Sequence, residues 1–203
     1  MQLQQWTGDF GNQYIERCPA SEDALRSIKP FWRDILGLTK PGKILEVGAN
    51  IGINLRAIAE LTDAELFAIE PNARARTKLI EDGVVHRENV RGGSAQSIDF
   101  RDGVAELVFT SGVLIHISPD DLLQACKEIH RCSSRYIGCI EYFSDKPEMI
   151  HYRGHDDLLF KRDFGAFWLD NFPDLKIVDH GFLWKRAAGN GQDNSNWWLF
   201  EKP

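Results

Sequence analysis

The chain has 203 residues and a mass of 23.1 kDa, which suits one full-sized domain with a small cap and leaves little room for two. Its 43% hydrophobic and 27% charged residues exclude a disordered chain or a fibre. With 24 Lys and Arg against 30 Asp and Glu, a net charge of −6 and a pI near 5.5, it lacks the basic balance of a protein that coats nucleic acid.

The four cysteines (Cys18, Cys126, Cys132, Cys139) form no CxxC pair and have no histidines at zinc spacing, so no metal is expected. Cys126 and Cys132 read instead as small apolar residues on one amphipathic helix. The opening Met1 to Trp6 has neither the basic nor the apolar region of a secretory signal. No apolar run approaches the roughly 20 residues that span a bilayer. A reduced, soluble, cytoplasmic protein with no membrane partner is the expectation.

In chain order, a helix is predicted from Ser21, a residue type that caps helix starts, to about Gly37. Residues 1–40 precede the first sheet strand and read as a helical lid or flank to a domain over 41–203. From there short apolar runs alternate with helical patterns, the sign of β-α-β units and a parallel sheet. Strands are predicted over 43–47, 65–69 and 104–109, with a weaker one within 84–91. Helices are predicted over 50–61, 72–82 with Gly83 as stop, and from Ser118 to about Arg131. Residues 135–143 form a fifth strand, apolar from Tyr136 to Ile140 as if covered on both faces. A polar, aromatic-bearing segment follows, then a helix near 162–171. Two last strands, 175–184 and 197–200, flank a Gly/Asn-rich loop over 189–196 and suggest a terminal hairpin. Trp184, Trp197 and Trp198 read mainly as core residues of that hairpin.

The segment Ile44-Leu45-Glu46-Val47-Gly48-Ala49-Asn50-Ile51-Gly52 carries the chemistry. A strand, a glycine-bearing turn and an immediate helix make a ligand site at the carboxyl edge of a sheet. The helix N-terminus is expected to offer free N–H groups to a carboxylate. Glu70, at the end of the second strand, can accept both hydroxyls of a ribose. A dinucleotide fingerprint needs glycines at 48, 50 and 53, whereas this chain has Gly48, Asn50 and Ile53. A cofactor with a ribose and a carboxylate but no pyrophosphate, such as S-adenosylmethionine, suffers less from Asn50.

Three segments, 45–52, Ile69-Glu70-Pro71-Asn72 and Ser111 to Ile117, together resemble a class I S-adenosylmethionine-dependent methyltransferase. The chain is still more similar to the pseudaminic acid biosynthesis-associated methylases. That likeness rests on the opening Trp6 to Arg17 and on Tyr152-Arg153-Gly154-His155, Leu159 to Phe164 and Trp197-Trp198-Leu199. It implies an α/β, Rossmann-like doubly wound sheet of seven strands with the last strand antiparallel, and S-adenosylmethionine at the ends of the first strands. It also implies methyl transfer to a small sugar-related or nucleotide-sugar molecule. Two positions depart from the generic pattern: Asn50 replaces the middle glycine of the turn, and Ser94 stands where many relatives place an Asp beside the adenine.

The expected cofactor contacts are Glu46, Gly48, Asn50 and Gly52 for the methionine part, with Glu70 and Pro71 for the ribose. Ser94, Ala95 and Gln96 border the adenine, and Gly112 and Val113 meet the cofactor's amino group. Tyr14 and Arg17 lie one helical turn apart and can close over the cofactor. His116, just past the fourth strand, is the candidate catalytic residue, able to take a proton from a hydroxyl or amine as it is methylated. Alignment alone can supply most of the acceleration, so a base is not obligatory. Tyr142, Tyr152, Arg153, His155, Lys161 and Arg162 concentrate aromatic and basic groups that could receive an anionic acceptor. The alternatives are a non-catalytic cofactor- or partner-binding module and a nicotinamide-dependent oxidoreductase; a macromolecular methyltransferase is weaker. The sequence leaves open O- versus N-methylation and whether the chain is a monomer or homodimer.

Overall fold

The computed structural model describes residues 2–188 and 193–203, so Gly189 to Gln192 of the expected Gly/Asn-rich loop lie outside the described residues. The chain begins with three helices, α1 (Gln2–Thr7), α2 (Asp9–Arg17) and α3 (Glu22–Thr39). Ser21 caps α3 by accepting a hydrogen bond from Ala24 N at 3.2 Å, satisfying one of the free donors of a helix start.

Strands β1 (Lys43–Val47), β2 (Glu65–Ile69), β3 (Val90–Arg91), β4 (Ala105–Ser111) and β5 (Ser133–Glu141) follow, with helices α4 (Ile53–Ala59), α5 (Ala73–Glu81) and α6 (Pro119–Cys132) between them. The two-residue strands β6 (Glu148–Met149) and β7 (Phe160–Lys161) pair into a separate small ribbon. The chain ends with α7 (Phe164–Asn171), β8 (Lys176–Leu183), α8 (Lys185–Ala188) and β9 (Ser195–Glu201).

Seven strands form one sheet in the order β3-β2-β1-β4-β5-β9-β8. The pairings from β3 to β5 are parallel, and β9 runs antiparallel to both neighbours. The sheet expected from the resemblance, with its last strand reversed, is the observed one. Side chains alternate between two apolar layers, as a strand dictates. Leu45, Val47, Phe67, Val108 and Ile137 face α6 and α7, while Ile44, Leu66, Leu107, Phe109 and Tyr136 face α3, α4 and α5. Cys126 and Cys132 are buried on α6 as the apolar residues they were read to be.

Four expectations shift in detail. The helix expected over 50–61 starts only at Ile53, because Asn50 (φ 48°) and Gly52 (φ 78°) adopt left-handed backbone that no helix accommodates. The strand expected within 84–91 shrinks to β3, because residues 87–89 turn into a 3-10 helix held by Asn89 Nδ2 on Leu66 O at 3.2 Å. Trp184 is 53% exposed rather than core, since it lies just past the end of the sheet's edge strand, whereas Trp198 is buried. Finally, residues 1–40 divide their roles: α3 buries Ile28, Trp32 and Ile35 against the sheet, while α1, α2 and the first half of α3 reach the cavity at the strand ends. Among the described residues no helix is long and apolar enough to cross a membrane.

Candidate active site

The carboxyl ends of β1, β2, β4 and β5, with α1, α2 and the start of α3, enclose a cavity of about 540 Å³, within the range of small-molecule sites. Its floor is the bend after β1. Gly48 takes φ 79°, and a Cβ there would stand 2.5 Å from Val113 Cγ2, so the bend and the turn after β4 touch where only glycine fits. Asn50 supplies left-handed backbone in place of the missing glycine, which asparagine tolerates better than other side chains.

Four of the bend's N–H groups are already taken. Gly48 N and Ala49 N donate to Ile69 O, Gly52 N donates to Ala49 O, and Asn50 N donates to Glu70 Oε2 at 2.7 Å. The anion seat expected at the helix start is therefore narrowed: the protein's own carbonyls and Glu70 take these four N–H groups. A pyrophosphate would meet the two carboxyl groups of Glu46 and Glu70 here, which disfavours a dinucleotide.

An acid and a base, each with one unpartnered buried atom, also line the cavity. Glu46, at the end of β1, is 2% exposed, and its Oε1 accepts from Asn54 Nδ2 at 2.6 Å. Asn54 Oδ1 in turn accepts from Trp32 Nε1 at 3.1 Å, so the core of α3 fixes the carboxylate's orientation. Glu46 Oε2 is buried without a partner. Burial pushes this carboxyl up to about 8, the Asn54 bond pulling the other way. Arg17 of α2, also lining the cavity, has Nη2 buried without a partner, its guanidinium lying 5.6 Å from the ring centroids of Phe10 and Tyr14. A buried unpartnered charge costs several kcal/mol, and an acid and a base left open in one cavity fit a zwitterionic amino-acid group between them.

Glu70, at the end of β2, accepts from Asn50 N and Asn72 N at 2.7 Å each. Burial raises its pKa against the pull of those two bonds. It keeps acceptor capacity for ribose hydroxyls. Pro71, Ser94, Ala95, Gln96, Gly112 and Val113 all line the cavity, and so does Tyr14, whose phenol burial pushes well above its usual range.

His116 ends the 3-10 turn after β4 and also lines the cavity. Its Nδ1 lies 2.5 Å from Leu158 O. A carbonyl only accepts, so Nδ1 carries the proton and Nε2 the lone pair. Burial pushes its pKa down to about 4, keeping the ring neutral near pH 7.

Of the six residues expected to take the acceptor, only Tyr142 lines the cavity, where its hydroxyl donates to Asp193 Oδ2 at 2.6 Å. The rings of Tyr152 and His155 back the lid instead: Tyr152 lies 6.2 Å from Phe10 and 5.6 Å from His116, and His155 lies 5.9 Å from Phe10. Arg153 is exposed on a tight turn, its guanidinium over Tyr152. Lys161 lies over the Tyr142 ring and Arg162 over Phe167. None of these five, nor Gly52, is among the lining residues. Gly52 answers to packing, since a Cβ there would meet Leu79 at 2.5 Å.

Sequence reasoning missed three contributors. Trp6 lines the cavity and packs 4.7 Å from His116. Asn72 caps α5 through Ala75 N and holds the lid by donating to Trp6 O at 3.0 Å and Asn12 Oδ1 at 3.1 Å. Asn54 orients Glu46 from the first turn of α4. Asn72, directly after Pro71 at a helix start, carried a readable capping signal; the others carried none.

Residues 45–135 match the family described as a methyltransferase domain. No curated protein matches the chain in sequence. Among solved structures, the fold is similar to a Burkholderia thailandensis 1,6-didemethyltoxoflavin-N1-methyltransferase with bound 1,6-didemethyltoxoflavin and S-adenosylhomocysteine. That match has 16% identity and TM-score 0.71, and covers 96% of this chain and 85% of the other. A Leishmania major S-adenosylmethionine-dependent methyltransferase matches at 17% identity and TM-score 0.68, over 98% and 86% of the two chains. The [4+2]-cyclase SpnF matches at 15% identity and TM-score 0.63, over 86% and 80%. The fold is thus shared by methyltransferases and by a cyclase, and the reaction must be argued from the site.

Proposed function

We propose that the protein transfers a methyl group from S-adenosylmethionine to oxygen or nitrogen of a small, sugar-related acceptor. The observation that carries this reading is the pair of unpartnered buried atoms of an acid and a base, Glu46 Oε2 and Arg17 Nη2, lining one cavity with Glu70. The cofactor is S-adenosylmethionine. Glu46 takes its ammonium, Arg17 its carboxylate and Glu70 its ribose hydroxyls, while 94–96 border the adenine. When bound, this sulfonium supplies an already activated methyl group, so the protein's task is chiefly to align an acceptor with it.

The acceptor end is walled by Trp6, Tyr14, His116 and Tyr142. With Nδ1–H fixed on Leu158 O, His116 Nε2 is the lone pair that takes the acceptor's proton. The sugar-related class rests on the opening and closing sequence motifs. The basic residues once expected to favour an anionic acceptor lie outside the cavity and lend it no support.

Isothermal titration with S-adenosylmethionine, S-adenosylhomocysteine and NADH tests the cofactor. Micromolar binding of the first two and none of the third is expected; the reverse sinks the reading. With an acceptor in hand, His116→Ala should lower kcat by about 10²- to 10⁴-fold and leave S-adenosylhomocysteine affinity within a few-fold. Wild-type turnover in this variant would remove His116 from catalysis.

A further inference from the structure

Glu141 closes β5, is fully buried, and belongs to none of the contacts assigned above. Its carboxylate accepts from three successive backbone N–H groups: Val113 and Leu114 on Oε1 at 3.2 and 3.1 Å, and Ile115 on Oε2 at 3.3 Å. These are the otherwise orphaned donors at the start of the 3-10 turn (Leu114–His116) that follows β4. Gly112, at φ 66°, donates to Ile140 O at 2.8 Å, so the end of β5 grips this turn twice.

That turn does two things at the site. Its Val113 side chain packs on the Gly48 bend, and its last residue is His116. We propose that Glu141 is a positioning residue for methyl transfer, its ionised carboxylate holding Val113 against the cofactor bend and His116 at the acceptor end. The proposal rests on the methyltransferase reading of the cavity. A neutral side chain would leave the three donors weaker partners, because hydrogen bonds to an ionised acceptor are about twice as strong as neutral ones.

Charge is therefore the variable to test. Burial pushes the Glu141 carboxyl up to about 7 against the pull of the backbone N–H groups. Of the titratable groups around it, the thiols and His116 carry no charge near that pH, and Arg162 is a fixed cation. The thiols of Cys126 on α6 and Cys139 on β5 are pushed up by burial, and His116 is pushed down. Arg162, before α7, acts on Cys126.

The experiment is calorimetric titration of S-adenosylhomocysteine into wild type and Glu141→Gln at about pH 8.5 and 5.5, with amide spectra of the ligand-free wild type over the same range. Glu46 also titrates, but equally in both proteins, so their affinity ratio isolates Glu141. Wild type should bind about tenfold tighter than the variant at the higher pH and within about twofold at the lower. The Val113, Leu114 and Ile115 amides should shift together with a midpoint of about 7. An equal loss at both pH values, or amides that do not titrate, overturns the proposal. If Glu141→Gln fails to fold, the wild-type amide titration decides alone. A wild type that binds no S-adenosylhomocysteine at either pH overturns the cofactor reading, whereas the amides still report on Glu141.

Discussion

Glu46→Gln is expected to weaken S-adenosylmethionine binding by about two orders of magnitude, the scale of truncating one partner of a buried charge pair. The amide keeps the size of the side chain and can still meet Asn54, but it cannot offset an ammonium. The pH dependence sharpens the test. In the ligand-free protein this carboxyl titrates at about 8, so at pH 7 it is protonated, and seating an ammonium against it expels that proton. Wild-type affinity should therefore rise with pH and level off above about 8, with proton release visible as a buffer-dependent binding enthalpy. Glu46→Gln should remove most of both.

Stability runs the other way. The folded pKa lies above the unfolded value, so the unfolded chain ionises first as pH rises. Ligand-free stability is lost between about 4.5 and 8. Glu46→Gln should melt higher than wild type at alkaline pH. Equal melting, together with unchanged affinity, would mean that Glu46 has no unmet charge to offer.

Gly48→Ala should damage both fold and site. Left-handed backbone at φ 79° costs a residue with a Cβ about 1–2 kcal/mol. The clash with Val113 Cγ2 at 2.5 Å adds about 1–3 kcal/mol of overpacking. At about 2–4 °C per kcal/mol for a chain of this size, the melting temperature should fall by about 5–15 °C, with loss of S-adenosylhomocysteine binding. Gly37→Ala is the contrast. It lies inside α3, where an added Cβ meets nothing within 4 Å, and should stabilise by about 0.5–1 kcal/mol. A Gly48→Ala protein that melts and binds like wild type would show that the bend and the β4 turn do not depend on each other.

Much of this architecture was legible because local pattern and tertiary role coincide. Apolar runs such as Ile44 to Val47 and Tyr136 to Ile140 lie in strands covered on both faces, and Gly48, Glu46 and Glu70 fall where strand ends meet the cavity. Legibility failed where a side chain serves distant backbone. Asn89 bonds Leu66 O and shortens β3 to two residues. Glu141 looked like the polar end of an apolar strand, and nothing in its neighbours signals that its partners lie 26 to 28 positions earlier. The basic run near Arg153 misled because charge density in sequence says nothing about which side of the lid it occupies. At the bend, Asn50 N is taken by Glu70, a residue assigned to the ribose alone, and three further N–H groups by backbone carbonyls.

A crystal structure with S-adenosylhomocysteine bound tests the central claim most directly. Its ammonium should lie within hydrogen-bond distance of Glu46 Oε2, its carboxylate against Arg17 and its ribose hydroxyls on Glu70. Density elsewhere, or an amino-acid group seated away from both Glu46 and Arg17, would contradict the assignment of this cavity.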